Sequence, residues 1–289
     1  HAVNLRIKVK RIFGKLSRVM RSEWGLKAQA LHTLYDEIVA PLVAYAAGAW
    51  FQSAEKVAIR RCLDSLQRSV LLLITKCCRT VSTAALQVIA GKMPLDLLLV
   101  RRGLEYMLKT GREAHVIDVR VSRPRSRFGG EQERFCWIRE ERKSIQLAVR
   151  DIWQDRWSSS NKGRVTYLFI SDVIWVEHSV REWFAPSYQL AFLLTGHGSL
   201  KGKLYQLGLS EAPECVCGEV EVWKHVTFAC AEYEDLRFSL QGELGQLRLV
   251  DGSYNWMIGS KDNFIAFNKF GVLVFERRRR VLQSLGGSS

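Results

Sequence analysis

The sequence predicts a mainly α protein, with a helical N-terminal region followed by a mixed, mostly helical C-terminal region. Apolar residues recur every three to four positions through the first 110 residues, which is the periodicity of an amphipathic helix. Cap and stop residues separate these periodic stretches into short-linked helices. With 47% hydrophobic residues over 289 positions, the chain can build a sizeable core.

The first three helices are predicted from this periodicity. The first covers residues 3–22, and the second runs from about residue 26 to residue 50. Pro41 lacks a backbone N–H, so it should kink or break the second helix. The third covers about residues 55–77, where every third or fourth residue is apolar.

Cap signals place two more helices before a basic linker. Ser82 or Thr83 suits the N-cap of a short helix over 84–90 that Gly91 ends, and Pro94 opens a fifth helix reaching about residue 109. Residues 111–130 are rich in Arg, Pro and Gly, which predicts a linker. A charged helical pattern returns at 131–157, and the polar residues 158–163 form a second loop. We therefore divide the chain into residues 1–110, a linker and helical connector at 111–185, and a C-terminal region at 186–289.

Four residues of the C-terminal region carry the strongest chemical signal. They form the pattern C-x-C-x7-H-x4-C. Three thiolates and one imidazole are a donor set that suits tetrahedral zinc, and a glycine after the second cysteine allows a tight turn under the sulfurs. The pattern predicts a zinc-knuckle-like module at 213–233, with these ligands: Cys215, Cys217, His225 and Cys230. Unrelated core thiols beside a surface histidine are the alternative.

The other cysteines and one loop histidine have simpler interpretations. Cys62 and Cys78 are predicted to be buried helix positions, and Cys136 beside a tryptophan is predicted to lie in the core. The adjacent Cys77 and Cys78 offer metal binding or reactivity as an alternative to packing. His197 lies in a glycine-flanked loop, where it is either an exposed or capping residue or a spare ligand or base.

The net charge of +14 is concentrated in the first region. Residues 1–110 hold 18 Lys and Arg against 7 Asp and Glu, a net charge of +11, whereas residues 186–289 hold 11 of each. Such a basic block suits a polyanion such as nucleic acid, and the alternative is a solvated helical surface. The predicted nucleic-acid-binding residues are Lys8, Arg11, Lys15, Arg18, Arg79, Arg277, Arg278, Arg279 and Arg280.

Aromatic residues offer a second route to nucleic-acid contacts. Trp153, Trp157 and Trp183 have the chemistry to stack on bases, but tryptophans at helical spacing more often lie in the core. The run Arg277–Arg280 is predicted to be a tail that binds phosphates, directs nuclear import or is simply solvated.

Several function classes find no support in the sequence. Apolar runs such as 42–51 fall far short of the roughly 20 residues that a membrane-spanning helix needs, so no membrane partner is expected. No signal peptide is visible, and the chain starts at His1 without a methionine, which suggests a piece of something longer. There is no Asp-Asp pair and no nucleotide-binding loop, so we predict no catalytic residue.

Two blocks of sequence resemble a known family. The first runs from Leu66-Gln67-Arg68 through Cys78-Arg79-Thr80-Val81-Ser82-Thr83 to Pro94-Leu95-Asp96. The second runs from Leu194-Thr195-Gly196-His197-Gly198 through the Cys/His motif to Glu232-Tyr233-Glu234-Asp235-Leu236-Arg237. In this order they resemble the C-terminal part of the Pol polyproteins of non-LTR retrotransposons, with the nearest likeness to the type-1 insect elements that insert in ribosomal RNA genes.

The resemblance implies a parent reverse transcriptase with an endonuclease, which nicks its target and copies its own RNA from the cut. The family's catalytic carboxylates and their Mg²⁺ would lie before His1, so this chain alone is expected to be inactive. Residues 1–110 would be a thumb that grips the template–primer, and the zinc module would contact RNA or target DNA. The protein would be nuclear at the integration site and cytoplasmic when bound to element RNA. The cysteine spacing departs from the retroviral C-x2-C-x4-H-x4-C, so base stacking by that knuckle does not carry over.

Two alternatives remain beside the polyprotein interpretation. The chain is either a non-enzymatic, zinc-containing nucleic-acid-binding protein, such as a domesticated remnant, or a structural helical protein whose zinc holds the C-terminal region together. Salt-sensitive RNA or DNA binding would separate the first alternative from the second.

Overall fold

The computed structural model describes residues 2–16, 28–122, 128–245 and 254–286. The mainly α prediction is confirmed, because helices form nearly all of the regular structure of the described residues. The chain folds as two compact units: unit 1 comprises His1–Ile74 and Gly91–Ser159, and unit 2 comprises Thr75–Ala90 and Ser160–Ser289. No described helix has the length and apolarity to cross a bilayer.

Unit 1 contains most of the long helices of the first half of the chain and one small hairpin. Its described elements are α1 (Ala2–Leu16), α2 (Ala28–Leu34), a π-helical turn (Tyr35–Val39), α3 (Ala40–Ala44), α4 (Ala47–Trp50), a 3-10 turn (Phe51–Glu55), α5 (Val57–Thr75), α7 (Leu95–Thr110), β1 (Ala114–Val116), β2 (Val119–Val121) and α8 (Glu131–Ser159). The two strands pair antiparallel, with His115 opposite Arg120. This hairpin occupies part of the segment that was predicted to be a linker.

The second predicted helix changes its hydrogen-bonding pattern before Pro41 and is interrupted at Ala46. The π-helical turn ends two residues before Pro41, which sits in the first turn of α3, where its missing N–H is tolerated. Ala46 then adopts a left-handed conformation with φ of 53°, which separates α3 from α4. The chain stays helical from residue 28 through Pro41 to residue 44, so the predicted break at Pro41 does not occur, and the break at Ala46 has no proline or glycine that would predict it.

Helix α7 forms the centre of unit 1. It packs against α3, α4, the 3-10 turn, the hairpin and α8. At Gly103 the helix surface lies so close to the ring of Phe51 that no Cβ fits between them. Sequence periodicity predicted an apolar face on this helix. The Phe51 ring can approach it so closely because residue 103 is a glycine and has no side chain.

A buried glutamine connects three elements of unit 1. The side chain of Gln67 on α5 donates to the hydroxyl of Tyr35 and to the carbonyl of Met93, both at 2.8 Å. Its Oε1 accepts from the backbone N–H of Leu95 at 3.3 Å, at the start of α7. Because a buried amide is costly unless its donors and acceptors are paired, Gln67 fixes how these elements meet.

Helix α8 places two of the predicted stacking residues in the core. Trp153 and Trp157 are 2% and 1% exposed, so they pack within unit 1 and cannot stack on bases. Cys136, on the same helix, is exposed, and the prediction that it lies in the core is wrong. The first turns of this helix are highly charged, and only its second half is buried. Cys136 lies in the exposed first half, and the two tryptophans lie in the buried second half.

Unit 2 is built from shorter helices around one long C-terminal helix. Its elements are α6 (Thr83–Ile89), α9 (Arg164–Phe169), α10 (Val173–Glu182), α11 (Tyr188–Thr195), α12 (Lys201–Gln206), α13 (Trp223–Phe228), a 3-10 turn (Ala231–Tyr233), α14 (Glu234–Leu244), a second 3-10 turn (Asn255–Met257) and α15 (Lys261–Gly286). The Ser82 hydroxyl accepts from the N–H of Ala85, so the predicted N-cap is confirmed. Gly91 is left-handed just beyond α6.

An aromatic cluster forms the core of unit 2. The ring of Phe169 contacts those of Trp223, Tyr254 and Phe267, with centroid separations of 5.4, 5.6 and 5.9 Å. Aromatic pairs of this kind stabilise a fold by more than the burial of their apolar surface alone. Trp183 is half-buried in a neighbouring cluster with Trp175 and phenylalanines, so it is engaged in packing too.

The four-arginine run is part of helix α15, so it does not form the tail that the sequence predicted. Arg277 makes a bidentate ion pair with Asp235 on α14, with both N···O distances 2.6 Å. Arg278 is 12% exposed at its side chain and pairs with Glu221, which is 3% exposed. Arg279 and Arg280 are exposed. Two of the four guanidinium groups therefore form ion pairs within unit 2, and the other two are exposed to solvent.

The predicted ranges and the compact units describe different divisions. Unit 1 takes in residues 111–159 from the predicted connector, and unit 2 takes in residues 75–90 from the predicted first region. The functional boundaries at 110 and 185 stay predictions, because contact within a unit does not assign a role to a segment.

Replacing Gly103 by Ala tests the close packing of α7. The added methyl would overlap the Phe51 ring, so we expect a loss of about 1–3 kcal/mol in the free energy of unfolding. Gly242→Ala on α14 is the control, because nothing lies within 4 Å of the added Cβ and alanine favours a helix by about 1 kcal/mol. Urea unfolding followed by circular dichroism measures both. Equal effects of the two substitutions would contradict the packing.

Replacing Arg278 by Ala tests the buried ion pair of unit 2. Glu221 would keep its charge in a buried place without the cation, so we expect a loss of about 3–5 kcal/mol in the free energy of unfolding. Arg280→Ala, on an exposed position of the same helix, should change it by less than about 0.5 kcal/mol. Thermal unfolding of the two variants distinguishes them, and an unaffected Arg278→Ala protein would refute the structural role.

Candidate metal centre

A tight hairpin presents the first two cysteines. Glu214 and Val220 form an antiparallel bridge, and the N–H of Cys215 donates to the carbonyl of Glu219 at 2.7 Å. The N–H of Gly218 donates back to the carbonyl of Cys215 at 3.0 Å. Gly218 has a φ of +93°, which side chains with a Cβ rarely adopt, so glycine closes the turn beneath the two sulfurs.

The end of helix α13 presents the other two side chains. His225 lies within α13, and its carbonyl accepts from the N–H groups of Ala229 and Cys230 at 2.9 and 2.8 Å. These bonds end the helix and turn the chain back, so Cys230 comes to the same side as His225. The turn at the end of the helix therefore brings together His225 and Cys230, which are five residues apart in the sequence.

The four side chains converge on one point. Their ligand atoms all lie within 4.8 Å of one another. The Sγ of Cys215 is 3.6 Å from that of Cys230, the Sγ of Cys230 is 3.7 Å from that of Cys217, and the Sγ of Cys217 is 3.2 Å from Nε2 of His225. A tetrahedral site with Zn–S bonds of about 2.3 Å has S···S edges of about 3.8 Å. The four residues could therefore hold a metal ion of that size.

Protonation of the four groups depends on their burial. Burial lowers the pKa of His225 despite nearby Glu219 and Glu221, so its imidazole is neutral near pH 7, the form that binds metals. Burial raises the pKa of the thiols of Cys215 and Cys230. At Cys217 burial is the largest single effect and acts to raise the pKa, but hydrogen bonds to its sulfur from the Glu219 backbone and from Cys230 together outweigh it, so its pKa is lowered.

The surrounding helices fix the position of the hairpin. The N–H of Glu221 donates to the carbonyl of Pro213, and its carboxylate accepts from the N–H of Lys201 at 2.6 Å and from Arg278. Gly202 approaches the backbone of Glu221 so closely that a Cβ would lie 2.9 Å from its carbonyl oxygen. The cluster is thus continuous with the core of unit 2 through Glu221. Sequence analysis missed this role of Glu221, because its partner lies 57 positions away.

The predicted nucleic-acid-binding residues are distributed over both units. Lys8 and Arg11 are exposed on α1. The side chain of Lys15 and the whole of Arg18 lie outside the described residues. Arg79 is exposed in unit 2, as are Arg279 and Arg280, and the guanidinium of Arg279 donates to the Tyr188 hydroxyl at 3.1 Å.

The remaining histidine and cysteines stay outside the metal cluster. Nδ1 of His197 is 2.9 Å from the hydroxyl of Thr80, so the loop histidine has a structural partner. Cys77 is buried, and burial raises its pKa, which makes it an unreactive thiol. Cys62 and Cys78 are only half-buried, less than predicted, and Cys78 lies between α5 and α6 rather than in a helix. Among the described residues, the one group of three or more metal-ligating side chains is the Cys215–Cys230 cluster.

Comparison with known proteins gives one consistent family. The chain is 37% identical over 286 residues to the 115 kDa protein assigned to the type-1 retrotransposable element R1DM of Drosophila melanogaster. It is 35% identical over 288 residues to a Pol polyprotein from a type-1 element, R1 2, of Nasonia vitripennis, and 36% identical over 289 residues to that of the R1 element of Bradysia coprophila. No family model matches the sequence, and no solved structure matches the fold.

The alignments cover nearly all of this chain but different shares of its relatives. They include 96–99% of the chain, 67% of the Nasonia protein, and only 26% and 27% of the Drosophila and Bradysia proteins. The chain thus spans about a quarter of the length of two of these relatives. The resemblance seen in the two sequence blocks is confirmed over the full chain, which belongs to the Pol polyproteins of type-1 retrotransposable elements.

Proposed function

We propose that this chain supplies nucleic-acid contacts to a retrotransposon Pol polyprotein. The parent would be an RNA-directed DNA polymerase with an endonuclease, and it would work by target-primed reverse transcription. The observation that carries this proposal is the identity of 35% to a Pol polyprotein over 99% of the chain. The net charge of +11 on residues 1–110, from 18 basic and 7 acidic side chains, supports binding to a polyanion.

Residues 1–110 would act as the thumb that grips the template–primer. Lys8 and Arg11 are exposed and three positions apart on α1, so they lie on neighbouring turns of one helix face. Lys15 and Arg18 continue this spacing in the sequence. Each cation that neutralises a phosphate would release counterions, which makes the affinity strongly salt-dependent. Arg79, Arg279 and Arg280 would contribute contacts from unit 2, whereas Arg277 and Arg278 hold the fold.

The four-residue cluster would bind one Zn²⁺ as a structural site. Three cysteines and one histidine leave no open position on a tetrahedral ion, which is the pattern of structural rather than catalytic zinc. Cys215 and Cys230 are 6% and 0% exposed, so the ion would tie the hairpin to the end of α13 from inside the fold. The module would then position nearby surfaces for RNA or target DNA.

The catalytic steps would take place elsewhere in the parent protein. Polymerase Mg²⁺ needs clustered carboxylates, and we assign no described residue of this chain to that role. The protein would be nuclear at the site of integration and cytoplasmic when bound to element RNA.

The zinc proposal predicts one Zn²⁺ per chain in protein purified without added metal. Cys217→Ser should lose the ion, because a hydroxyl is a poor zinc ligand and the other three groups cannot close the tetrahedron. Cys136→Ser is the matched control, since that thiol is exposed and outside the cluster. Elemental analysis by mass spectrometry gives the stoichiometry. Folded protein purified without zinc would reject the proposal.

The binding proposal predicts an RNA or DNA complex whose affinity falls steeply with salt. Lys8→Ala with Arg11→Ala should weaken binding and reduce the slope of log K against log salt by about 2, or about 0.9 for each lost phosphate contact. The control removes Lys143 and Lys269, two exposed lysines already paired with Glu140 and Glu243. Fluorescence anisotropy across a salt series measures both. Absence of binding at low salt would refute the proposed function.

A further inference from the structure

Unit 2 contains a pocket separate from the metal cluster. Its volume is about 330 Å³, at the lower end of the range of about 300–1,000 Å³ for small-ligand pockets. The floor is Phe169 with Ile170, both 1% exposed. Two indoles, three polar side chains and one glycine complete the lining: Trp175, Trp256, Ser171, Asp172, Asn255 and Gly259. Pockets with aromatic walls and a few polar groups are typical of sites for flat, polar-edged ligands.

The walls of this pocket are held in place by the fold. The N–H of Tyr254 donates to the carbonyl of Leu168 at 2.6 Å, which joins the start of the 3-10 turn Asn255–Met257 to the end of α9. The amide of Asn263 on α15 donates to the carbonyl of Trp256 at 2.7 Å. Trp175 packs edge-on against Phe184, with ring centroids 5.7 Å apart. The pocket is therefore built before any ligand arrives.

One carboxylate gives the pocket its polarity. Oδ1 of Asp172 caps α10 by accepting from the N–H groups of Ile174 and Trp175, at 2.7 and 3.2 Å. Its second oxygen accepts no hydrogen bond from the described residues, and the side chain is exposed at the pocket. A carboxylate repels phosphate, so the edge of a base rather than the backbone suits this position. Carboxylates accept hydrogen bonds from exocyclic amino groups such as N4 of cytosine.

The edge of the base decides which pyrimidine suits this carboxylate. Cytosine presents an exocyclic amino donor at C4, whereas uracil presents a carbonyl oxygen there, which a carboxylate repels. The ring of either base can stack on the indoles of Trp175 and Trp256, which line the pocket. The carboxylate therefore supplies the selectivity, and the indoles supply stacking.

We propose that this pocket takes one unpaired nucleobase with an exocyclic amino group, in preference to uracil. The site rests on the proposed nucleic-acid function and deepens it. Lys and Arg side chains would attract the strand without regard to sequence, and this pocket would select a single-stranded position in it. The tryptophans that matter for stacking are then Trp175 and Trp256 of unit 2.

The test uses the full zinc-loaded chain with two matched probes, cytidine and uridine 5′-monophosphate. Saturation-transfer NMR should show transfer to the base protons of the cytidine nucleotide and weaker transfer for uridine. Asp172→Asn keeps an oxygen that can cap α10 but removes the charge, so it should cut the preference for cytidine by about fivefold or more. Asp262→Asn, an exposed first-turn aspartate on α15, is the control and should leave the preference intact.

A second variant tests the stacking wall. Trp175→Ala should weaken binding of the cytidine nucleotide about fivefold or more, provided that its circular dichroism and unfolding midpoint match the parent. If this variant unfolds, the cytidine preference of Asp172→Asn alone decides whether the pocket assignment holds. No transfer from either nucleotide, or a cytidine preference unchanged in Asp172→Asn, overturns the pocket assignment.

Anisotropy with 12-nucleotide oligo(C) and oligo(U) separates this proposal from the function on which it rests. Salt-dependent binding to both oligomers that Asp172→Asn leaves unchanged would overturn the pocket and keep the proposed function. Saturation transfer to the cytidine nucleotide without binding of any oligomer would keep the pocket and overturn the proposed function.

Discussion

Much of unit 2 depends on the neutralisation of one buried carboxylate. Glu221 lies in the chain between the cysteine hairpin and His225, and it is buried beside the N-terminus of α12. A buried charge of this kind destabilises the fold unless a cation and hydrogen bonds compensate it. Arg278 supplies the cation, and it also donates to the carbonyl of Ser199 at 2.6 Å. Helix α15, the hairpin and the segment before α12 are therefore locked together by one guanidinium.

This constraint changes the meaning of the arginine run. Four consecutive arginines on a helix point in different directions, because each residue turns by about 100°. Arg277 pairs with Asp235 on α14, and Arg278 pairs with Glu221 beside the metal cluster. Arg279 and Arg280 are exposed to solvent. A composition-based interpretation treats the four as one basic patch. The helix divides them into a structural pair and an exposed pair, and only the exposed pair suits phosphates.

Local signals predicted much of the fold and the metal site. The Cys/His spacing identified all four converging side chains, because hairpin and helix-end geometry is encoded within 16 residues. The Ser82 cap was also local, since its hydroxyl and the N–H that it caps are three residues apart. Predictions of burial depended on tertiary packing, and one of them was wrong. Cys136 lies next to apolar neighbours in the sequence but is exposed, and the buried residues of α8 begin only at Ile145.

Long-range contacts account for what the sequence could not reveal. The pair of Glu221 and Arg278, the bonds of Gln67 to Tyr35 and Met93, and the pocket between α10 and the Asn255–Met257 turn all join residues far apart in the chain. Trp153 and Trp175 share the same chemistry and both lie on helices. One is sealed in a core and the other lines a pocket, and only the packing around each indole separates them.

The two kinds of nucleic-acid contact proposed for this chain need different structural support. A phosphate-binding lysine works through long-range charge, so it functions on an exposed helix such as α1 with little positional precision. Reading a base requires a rigid wall, a desolvated floor and a hydrogen-bonding group held within a few tenths of an ångström. In unit 2 the cap bond fixes Asp172 and the backbone bonds of Tyr254 and Trp256 fix the opposite wall. The same aromatic core that anchors Trp223 of the metal module also forms the floor of the pocket through Phe169. Zinc binding and base binding would therefore share one rigid support, so loss of the metal should loosen the pocket as well as the hairpin.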